Sequence, residues 1–357
     1  MYKLLPLFFL TLISSQIISQ NLGVFEDVWD KFYVFDNGQI KKLDYLEVQE
    51  YEVTKNYVIY TSSRGVMNLY YKNQNFNLKD LEATQIISTD HIFAYNLNGH
   101  LNILYNDKIS IWEQWTKSIL GYGDSIIAYT NKDEDMMVFY DGEAVLLEQF
   151  LPLSSKTGNN ILAYVDNAKV FKAYYKGKLS DIESVPPKSY DVGENIIAYI
   201  NEYNEFKVFD RGEIIDLETF APLQYFVGDN FVAYYNDLEE LVVYQNGETQ
   251  ALYFDKPKKL LVDEKMIVFR TRNDQLMLYY NGELKTLEQY WPERIKISNE
   301  TMVYTDLDNR LKSYYDDEVI KVSKDAVTNF SLYNRVIIYY ILESRIKIFH
   351  DKQYYNY

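Results

Sequence analysis

The side chains that could do chemistry in this sequence are few in kind and mostly repeated. Its 357 residues hold three histidines, His91, His100 and His350, and no cysteine. There is thus no thiolate cluster, no disulfide and no H-E-x-x-H pattern, and neither a metal site nor a cofactor is expected. No G-x-S-x-G elbow and no phosphate-cradling glycine loop occurs either. What recurs is glutamate, at Glu148, Glu183, Glu218 and Glu288. A residue present in copy after copy is explained by folding, whereas an active site in a repeating chain should occur once. These glutamates are therefore read as structural or solvated, and no catalytic residue is assigned.

Two groups of candidates remain. The stretch "ISIWEQWTKS" sets Trp112, Glu113 and Trp115 close together, flat rings beside a polar handle that suit stacking on a sugar or peptide. The competing reading is that Trp115 aligns with Phe150, Phe220 and Tyr290, taken as core aromatics. The second group is acidic: Asp133, Glu134 and Asp135, then Glu202 and Glu205, then Asp237, Glu239 and Glu240, then Asp306 and Asp308. Strand alternation puts these loops on one rim. They would form a docking face for a basic partner or for weakly held Ca²⁺, although no D-x-D-x-D-G loop is present, or they solvate the turns and discourage edge pairing.

The elements that position these residues follow from a repeat. The central aromatic of "FVAY" recurs as Phe25, Tyr60, Tyr95, Tyr129, Tyr164, Tyr199, Tyr234, Phe269, Tyr304 and Tyr339, always 35 residues apart except for one interval of 34. A constant period of this size marks stacked units that bury their faces against their neighbours. The anchor and the three residues before it are nearly all apolar, as in "IIAY" and "ILAY", which describes a strand covered on both faces. The residue before the anchor is Ala94, Ala128, Ala163, Ala198 or Ala233, and Val or Ile in the other units, so adjacent sheets should approach closely there.

Ten residues after each anchor stands a second aromatic, among them Phe35, Tyr70, Phe139, Tyr244 and Phe349. That strand ends in pairs such as Asn37-Gly38, Asp141-Gly142, Arg211-Gly212 and Asn246-Gly247, which suit tight hairpins. A third strand follows, closed by Pro152, Pro187, Pro222, Pro257 or Pro292 at a fixed offset. A short apolar segment such as "YFV" or "LLV" leads into the next anchor, making each unit a four-stranded antiparallel meander.

The expected fold is all-β: about ten 35-residue repeats forming a β-propeller, with an open β superhelix or two smaller propellers as alternatives. The last unit, "VIIYYILESRIKIFHDKQYYNY", shows two strands and a remnant of a third. The edge needed to close a ring would have to come from before Phe25. This weighs against simple closure. In its order of segments the unit resembles bacterial β-propeller repeats and is similar to the WG repeat, although the Trp-Gly pair is missing from every copy. The resemblance implies architecture and carries no functional residue.

Composition limits the rest. The opening "MYKLLPLFFLTLISSQIISQ" has the layout of a secretory signal peptide with an apolar part too short to span a bilayer. Cleavage after Ser19 would leave one β-repeat domain over 20–357, without membrane insertion, in a bacterial periplasm or secreted. With 36 basic and 52 acidic side chains the net charge is −16, which repels nucleic acid and anionic membranes. The expected function is an exported, non-catalytic binding or scaffold protein presenting a rigid surface to a protein or glycan. The competing expectation is an extracellular carbohydrate-active hydrolase or lyase with its site at the propeller hub, its carboxylates drawn from different units.

Overall fold

The computed structural model describes residues 21–78, 83–105, 108–113, 115–342 and 345–357, with the side chains of 83–84 and 108–112 outside that description. The expected leader, 1–19, lies outside the described residues. The rest forms ten antiparallel sheets, numbered here as blades 1 to 10 in chain order. Blade 1 covers 22–44, blade 2 48–77, blade 3 83–113, blade 4 118–148 and blade 5 154–183. Blade 6 covers 189–218, blade 7 224–253, blade 8 259–288, blade 9 295–321 and blade 10 329–356. In blade 7 the strands, named A to D, are Gln224–Val227, Phe231–Tyr235, Leu241–Gln245 and Glu248–Tyr253, hydrogen-bonded in that order. The short segment before each anchor is thus strand A of the following sheet, and the anchor lies on strand B.

Strand B is buried on both faces because its residues feed two seams alternately. Phe231, Ala233 and Tyr235 pack toward blade 8 with Ile267 and Phe269. Val232 and Tyr234 pack toward blade 6 with Ala198, Phe206 and Val208. All five alanines that precede an anchor are fully buried, so the close approach read from their size is observed. Tyr234 meets Phe206 edge-on with ring centroids 5.3 Å apart, and burying one such aromatic is worth roughly 1.5–3 kcal/mol. The hairpins are as expected: Asn246 and Gly247 both take positive φ, 54° and 86°, as a type I′ turn requires.

The seams show that the ring is closed. Ten sheets in an open stack share nine seams, whereas ten distinct apolar clusters fill ten seams here. The tenth joins Phe25 and Phe35 of blade 1 to Val336, Ile338 and Ile348 of blade 10. Tyr357 fastens it, donating its hydroxyl to Asp27 Oδ2 at 2.8 Å and setting its ring 5.0 Å from that of Phe25. The open superhelix and the pair of smaller rings are both replaced by a single ring. The last unit also proves complete, because Gln353–Asn356 pairs with Arg345–His350 as a full strand D. Among the described residues blade 1 has strands B, C and D.

Candidate functional site

The ring has two unlike faces. The A–B turns and C–D hairpins lie on one, and the B–C loops and D–A connections on the other.

On the first face, the A–B turns of blades 2 to 10, together with Asn21 just ahead of blade 1, surround the axis and line a cavity of about 180 Å³. Glycine makes this crowding possible: a Cβ on Gly193 would lie 1.8 Å from the carbonyl oxygen of Gly228. Neighbouring turns join through backbone, with Asp229 N donating to Glu264 O at 2.6 Å and Asn195 N to Asp229 O at 3.1 Å. Asparagines continue the belt, as Asn160 Nδ2 donates to Asn195 Oδ1 and Asn195 Nδ2 to Asn230 Oδ1, both at 2.8 Å.

The lining is charged and mixed, with Asp90, Asp124, Glu194, Asp229, Glu264 and Glu300 facing Lys55, His91, Lys265 and Arg335. Asp229 is 6% exposed and accepts from Asn159 Nδ2 at 3.3 Å. Burial, followed by the charges of Glu264 and Glu194, pushes its carboxyl up to about 8. Burial also raises Glu264 to about 7, with Asp263, Asp124 and Asp90 adding to it. Asp124 is raised by burial and by Asp90, against an opposing contribution from His91. Glu300 moves the other way, held low by Lys265 Nζ at 2.8 Å. The mouth therefore gathers carboxyls whose hold on a proton is raised toward neutrality. Among the described residues no group of three or more His, Asp or Glu is arranged to hold a metal ion.

Sequence reading passed over these carboxylates. The signal available was the acid just ahead of strand B in several copies, Asp90, Asp124, Glu194, Asp229 and Glu264. On a ring, equivalent positions converge on the axis, so ten copies build one site.

The recurring glutamates of strand D are structural as read. Tyr164, Tyr199, Tyr234 and Tyr304 each donate to the glutamate of the preceding blade, Glu148, Glu183, Glu218 and Glu288, at 2.8 to 3.1 Å. Glu113 stands at the same repeat position, sixteen residues before Tyr129, and its charge helps to raise that phenol's pKa, second to burial. Trp112 falls on the strand Lys108–Glu113, its side chain outside the described residues. Trp115 follows that strand, 56% exposed, with its ring 5.3 Å from that of His100. The positions aligned with it are not core: Phe150 is 65% and Phe220 72% exposed. They stand past the end of strand D, where side chains leave the seam.

That end of the strand belongs to the second face, which also carries the acidic loops. In most blades the B–C loop is tied by a polar side chain two residues after the anchor, although blades 3 and 10 have Leu97 and Ile341 there. Asn236 Oδ1 accepts from the amides of Leu238 and Glu240, and Asn131 Oδ1 from those of Asp133 and Asp135. Asp306 does the same for Asp308 and Arg310. Asp135 and Glu240 accept from the side-chain amides of Asn131 and Asn236, so these two acids, like Asp306, stitch turns. Glu134 pairs with Lys117, Asp133 with Lys132 and Asp308 with Arg310. Asp237 and Glu239 point to solvent.

The chain was compared with known proteins. No characterised protein matches the sequence as a relative. Among solved structures it resembles the computationally designed Ika8 protein at 13% identity and a TM-score of 0.35, covering 85% of this chain and 96% of that one. It also resembles the CRINKLY WD40 ectodomain of the Arabidopsis thaliana receptor kinase ACR4, at 11% identity and 0.36, covering 68% and 98%. A third likeness is BamB from Moraxella catarrhalis, at 11% identity and 0.30, covering 74% and 96%. The model of the 10-bladed β-propeller domain matches residues 16–355. Ten seams closing on themselves agree with that match, and the chain belongs to the 10-bladed β-propeller family.

Proposed function

We propose that this protein is an exported, non-catalytic scaffold that binds a protein or glycan partner through the face of its B–C loops and D–A connections. One observation carries the reading. The twelve most exposed large apolar side chains among the described residues, from Phe254 at 79% to Trp115 at 56%, all lie on that face. Single exposed apolar residues are ordinary, but a concentration on one side of a rigid ring is the mark of a binding surface. Propellers place function on loops held by a stiff frame. The test is a photo-crosslinking amino acid placed at Phe254 or Phe220, compared with one at Lys176 on the opposite face, in cells exporting the protein. Adducts from the first two positions alone are expected. Adducts from Lys176 alone, or from none of the three, would overturn the reading.

The second reading, a carbohydrate-active enzyme, draws support from carboxylates of different blades meeting at the hub. Acid and base roles need two carboxyls with separated affinities for protons; Asp229 and Glu264 are displaced in the same direction, and Glu300, which is displaced the other way, is already paired with Lys265. Cleavage of envelope glycans that is lost on Asp229→Asn and Glu264→Gln would make this reading the better one.

A further inference from the structure

Apolar exposure and unpaired negative charge coincide on two adjacent blades of the docking face. Tyr203 and Leu238 occupy the same place in the B–C loops of blades 6 and 7, and Phe220 and Phe254 follow strand D of those blades. They are 76%, 70%, 72% and 79% exposed, respectively. The two loops are rigid: Tyr203 N donates to Asn201 Oδ1 and Leu238 N to Asn236 Oδ1, both at 3.0 Å. Asn204 and Glu239 hold the left-handed turn at φ 67° and 61°. Beside these apolar tips stand Glu202, Asp237 and Glu239, all exposed. Among the described residues no cation lies within ion-pair distance of any of the three, although Lys207 pairs with Glu205 and Asp216 nearby.

We infer that the blade 6–7 sector of this face is a docking site for a basic amphipathic segment of a partner protein, one that sets apolar side chains on Tyr203, Phe220, Leu238 and Phe254 and lysines or arginines on Glu202, Asp237 and Glu239. This rests on the reading of the face as the docking face and names the partner's chemistry. Charge complementarity selects the occupant. A second copy of this chain, at net charge −16, would bring the same three acids against their own kind, and like charges juxtaposed across an interface are a device for rejecting partners. A neutral apolar partner would leave whichever of the three carboxylates it covers without a counter-charge, and desolvating an unpaired charge is strongly unfavourable. A cationic segment satisfies both halves of the surface.

The probe is a pair of synthetic amphipathic peptides of equal length and equal leucine and phenylalanine content, one lysine-rich and one glutamate-rich, followed by fluorescence anisotropy. The lysine peptide is expected to bind the whole protein, with affinity falling about tenfold between roughly 50 and 300 mM salt as the charges are screened. The triple substitution Glu202→Gln, Asp237→Asn, Glu239→Gln should weaken it about tenfold and flatten that salt dependence. Phe220→Ser with Phe254→Ser should remove binding at either salt concentration. All five side chains are exposed, and unchanged thermal melting verifies that the variants remain folded. Equal binding of both peptides, or lysine-peptide binding indifferent to the triple substitution, would overturn the inference. If neither peptide binds, the inference fails while crosslinks from Phe254 still uphold the docking face; loss of those crosslinks as well would end both.

Discussion

Replacing Asp229 by asparagine tests how the hub is held together, because it removes one titrating proton and almost nothing else. The new amide oxygen can still accept from Asn159 Nδ2, now at 3.3 Å from Asp229 Oδ1. In the folded ring this carboxyl is pushed from 3.8 up to about 8, so the native state holds the proton more tightly than the unfolded chain does. A raised folded-state value means stability is greatest below the unfolded value and declines as pH rises from about 4 to about 8. Each pH step of one is worth about 1.4 kcal/mol, so at pH 7 the need to keep this carboxyl protonated, where the unfolded chain would ionise it, withholds at most roughly 4 kcal/mol. Water at the mouth and relaxation of the turns reduce this, and a gain of about 2–4 kcal/mol is expected for the variant at pH 7 to 7.5. For a ring of this size that is a rise in Tm of roughly 3–6 °C. The assay is thermal and urea unfolding between pH 4.5 and 8.5, followed by intrinsic fluorescence. Below pH 4.5 the two proteins should converge, while above it wild type falls and Asp229→Asn stays flatter. A variant less stable than wild type at pH 7.5, or a wild type whose stability rises from pH 5 to 8, would refute the reasoning.

Other substitutions probe the seams, turns and boundary. Tyr234→Phe removes the 2.9 Å bond to Glu218 between blades 7 and 6 and should lower stability by about 1–2 kcal/mol; unchanged urea unfolding would mean the tyrosine–glutamate series is decorative. Gly193→Ala puts a methyl 1.8 Å from the Gly228 carbonyl oxygen, whereas a Cβ on Gly247 meets nothing within 4 Å. The first should fail to fold or lose more than about 3 kcal/mol, the second about 1 through its positive φ alone, and equal losses in thermal melting would contradict the crowded axis. Tyr357→Phe loses the closing bond to Asp27 and should lower stability by about 1–2 kcal/mol; an identical melt would show that apolar packing closes the ring unaided. N-terminal sequencing of exported protein should begin at Gln20, and a start before residue 16, where the family match begins, would move the leader boundary.

Much of this architecture could be read from side-chain size and period. The alanines before Tyr164, Tyr199 and Tyr234 are fully buried because a larger side chain there would push sheets apart, and Asn246-Gly247 turns as its backbone freedom allows. The failures share a cause: a pattern along one strand does not say what lies beside it. "YFV" is equally apolar whether it ends one sheet or begins the next, and only pairing of Phe226 with Ala233 decides for the latter. "QYYN" resembled a remnant because no proline or further anchor follows it, yet it pairs fully with the strand before it. Phe150 and Phe220 shared an alignment column with one another and nothing in that column showed that the sheet had already ended.

The hub carboxylates were illegible for a different reason. In one repeat, an acid ahead of strand B is a solvated turn residue, and five such acids spread along a linear array would sit farther apart than the roughly 8–10 Å over which charges feel one another in salt. Closing the array changes the distances without changing any residue. Asp124 of blade 4 then acts on Glu264 of blade 8, although 140 residues separate them in the chain. The loops of the opposite rim carry as much acid, but they stand at a wider radius, and several neutralise one another locally through Lys117, Lys132 and Arg310. Closure therefore divides similar repeats into two chemistries: an axis where charges of distant blades act on one another, and a perimeter where each loop keeps its own character.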